Sequence, residues 1–236
     1  MQIELKHHQG PLTLDAIFTL TQPWTVLFGP SGSGKTTILR AIQGFVRPDH
    51  GKLTLASTPI LNTATRLFVP PYQRPVRSAG QSPRLFPNMT VAENIRYGVP
   101  IATLASTPAL LDEILHLFRL EPLATKQPQA LSGGEKQRVS VARATASAVA
   151  TPNALLLLDE PFTGLDYTLR DTLATDLQSW LAQRRTPVLS VTHDIGEAFL
   201  LQAEVLRLEA GRITHQGPTN QVLAPERTRL LTRLHS

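Results

Sequence analysis

The stretch "GPSGSGKTT", Gly29 to Thr37, limits what this chain can fold into more than any other. It fits the pattern G-x-x-x-x-G-K-[ST], in which glycines let the backbone curl until successive N–H groups face one point. Such a loop can cradle phosphate when it joins a strand to a helix. Both flanks meet that condition. "WTVLF", Trp24 to Phe28, is a short β-rich run feeding the loop, and "TTILRAIQGF" has apolar residues at helical spacing and stops at a glycine. The candidate phosphate-binding residues are therefore Gly29, Pro30, Ser31, Gly32, Ser33, Gly34, Lys35, Thr36 and Thr37. Lys35 would reach the outer phosphates of a nucleotide, and the Thr36 hydroxyl would ligate Mg²⁺.

Four further stretches carry chemistry. The apolar run "ALLLLDE" ends in Asp159, which can hold Mg²⁺, and Glu160, which can polarise an attacking water. Taken alone, the run equally describes a core strand with solvated end charges. "PVLSVTH" is a second continuous apolar run, as in a parallel sheet covered on both faces, and ends in His193. A lone histidine is more often a surface group, yet groups at strand ends can meet at one sheet edge. Gln81, in "GQSPRLFP", could contact both metal and water; out of context it reads as a loop residue. Finally, "LSGGEKQRV", Leu131 to Val139, opens a helix with a serine and two glycines. That is a second anion-binding arrangement, far along the chain from the first.

The rest of the chain frames these motifs. "LTLDAIFTL" and "GKLTLAS" read as strands, prolines between Pro70 and Pro87 make a loop-rich stretch, and "VLRLEAGRITHQG" reads as a hairpin around Ala210-Gly211. From "TVAENIRYG" through "ALLDEILHLFRL" and "LSGGEKQRVSVARATASAV" the pattern is helical. The expected fold is α/β: a core of mainly parallel sheet with antiparallel N-terminal strands, and a helical lobe inserted at 83–148 between core parts 1–82 and 149–236. No apolar run approaches the roughly 18–20 residues that span a bilayer. The N-terminus lacks the apolar core of a signal peptide, and there is no cysteine; a cytoplasmic protein is expected. The pI of about 10.0 raises the question of nucleic acid. However, of 23 basic residues only Lys6, Lys35, Lys52, Lys126 and Lys136 are lysines, and the arginines are scattered apart from "QRRT" and the C-terminal "ERTRLLTRLHS". A nucleic-acid footprint is usually a stripe or cluster, so no nucleic-acid partner is expected.

Together and in this order, the motifs closely resemble the nucleotide-binding subunit of ATP-binding-cassette transporters. The resemblance covers almost the whole chain, and "LSGGEKQRV" is its distinguishing feature. It implies an ATPase using ATP and Mg²⁺. It also explains the second anion site: two copies pack head to tail, and Ser132, Gly133 and Gly134 of one contact the γ-phosphate held by Lys35 of the other. By the same resemblance Glu160 is the general base, His193 the γ-phosphate sensor, Gln81 the metal- and water-contacting switch, and Asp159 with Thr36 the metal ligands. Asp166, in "TGLD", belongs to the loop that crosses the dimer interface. The wording "PPYQRPV" and "LFPNMTVAENIRYG" is most similar to importer subunits for molybdate, sulfate and iron(III), with molybdate first. The implied partners are a second copy, transmembrane permease subunits and, indirectly, an extracytoplasmic solute-binding protein; the implied place is the inner face of the membrane. Two rivals fit less well. ATPases of this superfamily that act on DNA or ribosomes usually carry a long coiled-coil insertion or two cassettes, and a small-molecule kinase leaves "LSGGEKQRV" unexplained.

The chain departs from that family in four places. It reads "RSAGQ" where an aromatic or aliphatic strand usually precedes the glutamine, so Arg77, Ser78, Ala79 and Gly80 should form a weaker, more mobile strand. The link "ASAVATPNA" is longer than usual, predicting a longer helix end or loop. The N-terminal arm has no clear aromatic to stack on adenine; His7, His8 and Phe18 are the candidates. The C-terminal regulatory domain common in such importers is not expected.

Overall fold

The structure, a computed structural model, describes residues 1–106 and 109–234. It divides into two compact units, residues 1–74 with 189 onward, and residues 75–188. The first unit begins with β1 (Gln2–Gln9), β2 (Leu12–Thr19), β3 (Trp24–Phe28), α1 (Lys35–Gln43), β4 (His50–Leu55), β5 (Thr58–Asn62) and β6 (Leu67–Phe68). The second holds β7 (Val76–Ala79), α2 (Val91–Tyr97), α3 (Ile101–Ser106), α4 (Leu110–Leu117), α5 (Gly133–Val149), β8 (Leu155–Asp159) and α6 (Tyr167–Gln183). The chain returns to the first unit through β9 (Val188–Val191), α7 (Ile195–Leu201), β10 (Glu204–Glu209), β11 (Arg212–Pro218), α8 (Thr219–Val222) and α9 (Ala224–Leu234).

The strands of the first unit run in the order β6-β5-β4-β1-β2-β11-β10-β3-β9. Its N-terminal arm is antiparallel, with β1 between β2 and β4. Alternation explains why these segments are strands: Ile3 opposes Phe18 and Leu5 opposes Ala16, all four are buried, and the intervening Glu4, Lys6 and Ile17 are exposed. β3 differs. Trp24, Thr25, Val26 and Leu27 are all buried, the pattern of a strand covered on both faces, and it pairs in parallel with β10. The hairpin expected at Ala210-Gly211 joins β10 to β11, with both turn residues at positive φ, as a tight primed turn requires. α1 buries Ile38, Leu39, Ala41 and Ile42 and stops at Gly44, whose φ is 89°. Arg74 completes that helix end. Its Nη1 donates to the Ala41 and Ile42 carbonyls at 2.8 Å each, where a cation also complements the helix dipole. Burial pushes this guanidinium down to about 10.

In the second unit β7 and β8 pair in parallel, Val76 opposite Leu155 through Ala79 opposite Leu158. Arg77, Ser78 and Ala79 of "RSAG" thus lie in a strand, as expected, and Gly80 follows its end. Ala79 is buried, and Arg77 lies along α5, its Nε donating to Ser147 Oγ at 2.9 Å. The extra residues before β8 form the end of α5 and a turn at 150–153, with Asn153 at φ 55°. The compact units divide at 74/75 and 188/189, outside the expected 83–148 lobe, because β7, β8 and α6 pack with the helices. Among the described residues no helix is long and apolar enough to cross a membrane.

Candidate functional site

In the first unit the glycine loop links β3 to α1 as expected. A side chain on Gly29 would sit 2.2 Å from the Leu208 carbonyl oxygen of β10, so close approach forces glycine there. Gly34 is the N-cap of α1 at φ 109°, a left-handed conformation that disfavours any other residue. Lys35 Nζ donates to the carbonyls of Gly29 and Pro30 at 2.7 and 2.8 Å, so the loop curls around its own cation. Thr36 is exposed and Thr37 half-buried. The start of α1 has no side-chain cap and no acidic residue in its first turn. The helix dipole adds partial positive charge at that end. One anchor comes from far along the chain. Gly211, at the β10–β11 turn, donates its N–H to the Ser33 carbonyl at 3.1 Å and accepts from the Asp15 N–H at 2.8 Å.

His193 is exposed just after β9, the neighbour of β3 in the strand order. The residues around it are well tied. Thr192 Oγ1 donates to Glu197 Oε2 at 3.1 Å and accepts from the Asp194 N–H at 3.0 Å; Asp194 then caps α7 by accepting from the Glu197 N–H. The adenine candidates fare unequally. Phe18 is 3% exposed, a core residue facing Ile3, so it is withdrawn as a base contact. His8 is engaged with Asp49: its backbone N–H donates to Oδ2, and its ring Nδ1 lies 2.8 Å from the same oxygen. These bonds hold the Asp49 carboxyl below its usual value. His7 stays partly buried beside Asp49.

In the second unit Asp159 ends β8 and Glu160 follows, both half-buried after four buried leucines. Because Ala79 pairs with Leu158, the chain leaves β7 toward Gln81 at the level where Asp159 and Glu160 leave β8. Parallel pairing thus brings Gln81 to the carboxylate end of this strand pair. Glu160 has φ 53°, a strained choice for a non-glycine residue. Its carbonyl accepts from Gln137 Nε2 at 3.2 Å.

The "LSGGEKQRV" segment opens α5 as expected, with Ser132 as its N-cap. Ser132 and Glu135 form a capping box: Ser132 Oγ accepts from the Glu135 N–H, and the Glu135 carboxylate accepts from the Ser132 N–H at 2.7 Å. That backbone N–H holds the Glu135 carboxyl below its usual value. The two glycines have different reasons to be there. A Cβ on Gly134 would lie 2.8 Å from the Gly164 carbonyl, whereas one on Gly133 would meet nothing within 4 Å. Asp166 caps α6 by accepting from the Leu169 N–H at 3.0 Å. Sequence reasoning did not single out Gly211, Gln137 or Arg74. Gly211 had been read as a hairpin turn alone, and Gln137 stood inside a recognised motif without a role.

A family model described as ABC transporter matches residues 18–163. The chain belongs to the ABC transporter family. Among curated ABC proteins it is 35% identical over 223 residues to the "Molybdenum import ATP-binding protein ModC" of Mesorhizobium japonicum, covering 94% of this chain and 59% of that protein. It is 37% identical over 225 residues to the protein of the same name from Pectobacterium atrosepticum, covering 95% and 62%. The chain thus spans about three fifths of the length of these relatives. Among solved structures it is similar to a dimeric post-hydrolysis state of the ATP-binding cassette MJ0796 bound to ADP and Pi, with TM-score 0.72, 23% identity and coverage of 92% and 98%. It also matches an ATP-binding subunit of an ABC transporter, with TM-score 0.75, 22% identity and coverage of 100% and 99%. These likenesses establish the fold as that of an ABC cassette.

Proposed function

We propose that this chain is the ATP-binding and ATP-hydrolysing subunit of an importer, and that molybdate is its first-choice cargo. The observation that carries the reading is the glycine loop. Its curl is enforced by Gly29 against Leu208, its lysine lies across its own carbonyls, and the helix behind it opens without a side-chain cap. A loop so built fits a triphosphate: the backbone N–H groups and Lys35 neutralise phosphate oxygens by charge-assisted hydrogen bonds. The donor set also fits Mg²⁺, a hard cation that prefers oxygen. The Thr36 hydroxyl, the Asp159 carboxylate and the Gln81 amide oxygen are its proposed holders, a grouping that rests on motif order in the family. When bound, the ion would offset the charge that develops on the phosphates.

Glu160 is the proposed general base, taking a proton from the attacking water, and His193 the proposed contact to the γ-phosphate. Ser132, Gly133 and Gly134 are proposed to meet the γ-phosphate bound by a second copy, and Asp166 to lie on the loop facing that copy. Gly133 supports this, since among the described residues a Cβ there would meet nothing within 4 Å. Permease subunits are the proposed membrane partners, with an extracytoplasmic solute-binding protein acting through them; the chain would then sit on the inner face of the membrane. The molybdate assignment is supported by the names of the curated relatives.

Three substitutions test the reading. Lys35→Ala removes the loop's cation, and hydrolysis is expected to fall about 10²–10³-fold with loss of ATP affinity. Glu160→Gln keeps shape but cannot accept a proton, so turnover should fall about 10²–10⁴-fold while binding survives. That variant should accumulate as an ATP-bound dimer, seen by sedimentation or light scattering. Asp159→Asn should instead lose Mg²⁺-dependent affinity as well. Near-normal hydrolysis in Lys35→Ala would remove the basis of the assignment. Turnover at the unmodified rate in Glu160→Gln would reassign the base, with His193 next to test.

A further inference from the structure

Gln137 lies one turn into α5 and is 3% exposed. Its Nε2 donates to the Glu160 carbonyl, while its Oε1 is buried with no partner among the described residues. A buried amide that leaves half its capacity unmet carries a desolvation cost. The bond it does make is therefore the reason to look for a role. At the other end of that bond, Glu160 holds φ 53°. L-residues adopt this conformation at a cost, and it persists where the surroundings over-determine it. Here the surroundings are α5. The helix touches the segment after β8 at Gln137 on Glu160 and again at Gly134, where the Gly164 carbonyl leaves no space for a Cβ.

Geometry connects the bond to the carboxylate. The Glu160 carbonyl belongs to the planar peptide that leads into Pro161, and fixing that plane beside a fixed φ sets the backbone from which Cα–Cβ projects. We propose that Gln137 is a positioning residue for the Glu160 carboxylate: by holding the Glu160 carbonyl it maintains the left-handed backbone that aims the side chain. The proposal rests on the reading of Glu160 as the general base. Its consequence is specific. Loss of the amide donor lets residue 160 relax toward ordinary φ, swinging the carboxylate away without touching the phosphate loop.

The test compares ATP turnover and ATP affinity of the full chain for Gln137→Leu, Gln137→Glu, Glu160→Gln and the unmodified protein. In Gln137→Leu, kcat falls about ten- to a hundredfold, as small misplacements of a reacting group do, while the dissociation constant for ATP stays within about twofold. Gln137→Glu keeps the shape but at neutral pH presents an acceptor to a carbonyl. Burial favours the neutral acid, whose O–H can donate. Its kcat relative to the unmodified protein therefore rises as the pH is lowered from about 8 to about 6, a recovery that a packing role would not produce. The proposal is overturned by an unmodified kcat in folded Gln137→Leu, or by kcat and affinity falling together with no recovery at lower pH in Gln137→Glu. Should the leucine variant fail to fold, the pH profile of Gln137→Glu decides. Glu160→Gln turning over at the unmodified rate removes the base reading and the proposal together, whereas an inactive Glu160→Gln beside a fully active Gln137→Leu removes the proposal alone.

Discussion

Two helices of this molecule open toward a proposed phosphate, and they are built in opposite ways. α1 starts at a glycine with no side-chain cap and no acid in its first turn. Its loop is held by backbone contacts from distant strands, Leu208 against Gly29 and Gly211 on Ser33. α5 starts at Ser132 in a full capping box with Glu135. One helix start carries no side-chain cap and borrows rigidity from elsewhere; the other satisfies part of its own end locally. The difference follows from the physics of capping. A side-chain cap uses up the donors that a ligand would need, so a loop meant to wrap several phosphate oxygens has to be stiffened by other means. A helix that meets a single phosphate can keep its cap and offer the remaining groups.

The sharpest break in that comparison would come at Gly211. Gly211→Ala places a methyl about where the Thr13 carbonyl oxygen sits, 2.1 Å from the ideal Cβ, so the turn must move and release Ser33. Gly10→Ala is the control: Gly10 has φ +59° and nothing within 4 Å of an added Cβ. Both variants bear the left-handed cost of roughly 1–2 kcal/mol. Titration with ATP should show about a tenfold loss of affinity for Gly211→Ala and none beyond the error for Gly10→Ala. Equal affinities in the two folded variants would show that the hairpin does not set the loop.

Next in size is the pair of adjacent glycines at the start of α5. Gly134→Ala forces the Gly164 carbonyl aside and should lower stability by about 1–3 kcal/mol, read from urea unfolding. Gly133→Ala meets open space and replaces a poor helix former, so stability should hold or rise by up to about 1 kcal/mol. ATP-dependent dimerisation should nevertheless weaken in Gly133→Ala, because the methyl would occupy the proposed approach of a second copy's phosphate. A normal ATP-induced dimer in that variant would count against the second anion site.

The smallest expected effect concerns the capping box. The Ser132 backbone N–H, followed by the Ser132 side chain, holds the folded-state pKa of Glu135 below the ordinary 4.5. A depressed carboxyl contributes stability that is fully present above the unfolded value and is lost as the pH falls through the lower folded value. The stability gap between the unmodified protein and Glu135→Gln should therefore be constant near neutrality and close in acid, as followed by unfolding at stepped pH. No comparable acid-dependent gap is expected from any residue in the first turn of α1, which carries no acid.

Most elements could be read in advance because their signals are local. The β3–loop–α1 junction, the long α5 from "LSGGEKQRVSVARATASAV", the strand "ALLLLD" and the hairpin at Ala210-Gly211 each follow from spacing, glycine placement or β-branched and leucine runs. Phe18 was misjudged for a physical reason. An aromatic near a strand end can face either side, and the pairing of β1 with β2 decides which; opposite Ile3 it faces the core. "RSAG" is poor in β-formers and was expected to make a weaker strand; Arg77, Ser78 and Ala79 pair in parallel with Leu156, Leu157 and Leu158 of β8. Intrinsic strand preference is weak beside the context of a neighbouring strand.

What the sequence alone determined was the set of parts: a glycine loop with Lys35 and Thr36, an acidic strand end at Asp159 and Glu160, a serine-glycine helix start, and the family they belong to. Each is encoded within about ten residues, where spacing alone dictates which groups share a turn, a strand end or a helix start. Tertiary structure alone decided how those parts are held. Gly211 reaches Ser33 from far along the chain, Arg74 closes the end of α1, and Gln137 holds the Glu160 carbonyl across the intervening turn. Such contacts depend on which strands become neighbours and at what register. That choice is made by the burial of many apolar residues at once, and no short stretch of sequence records it.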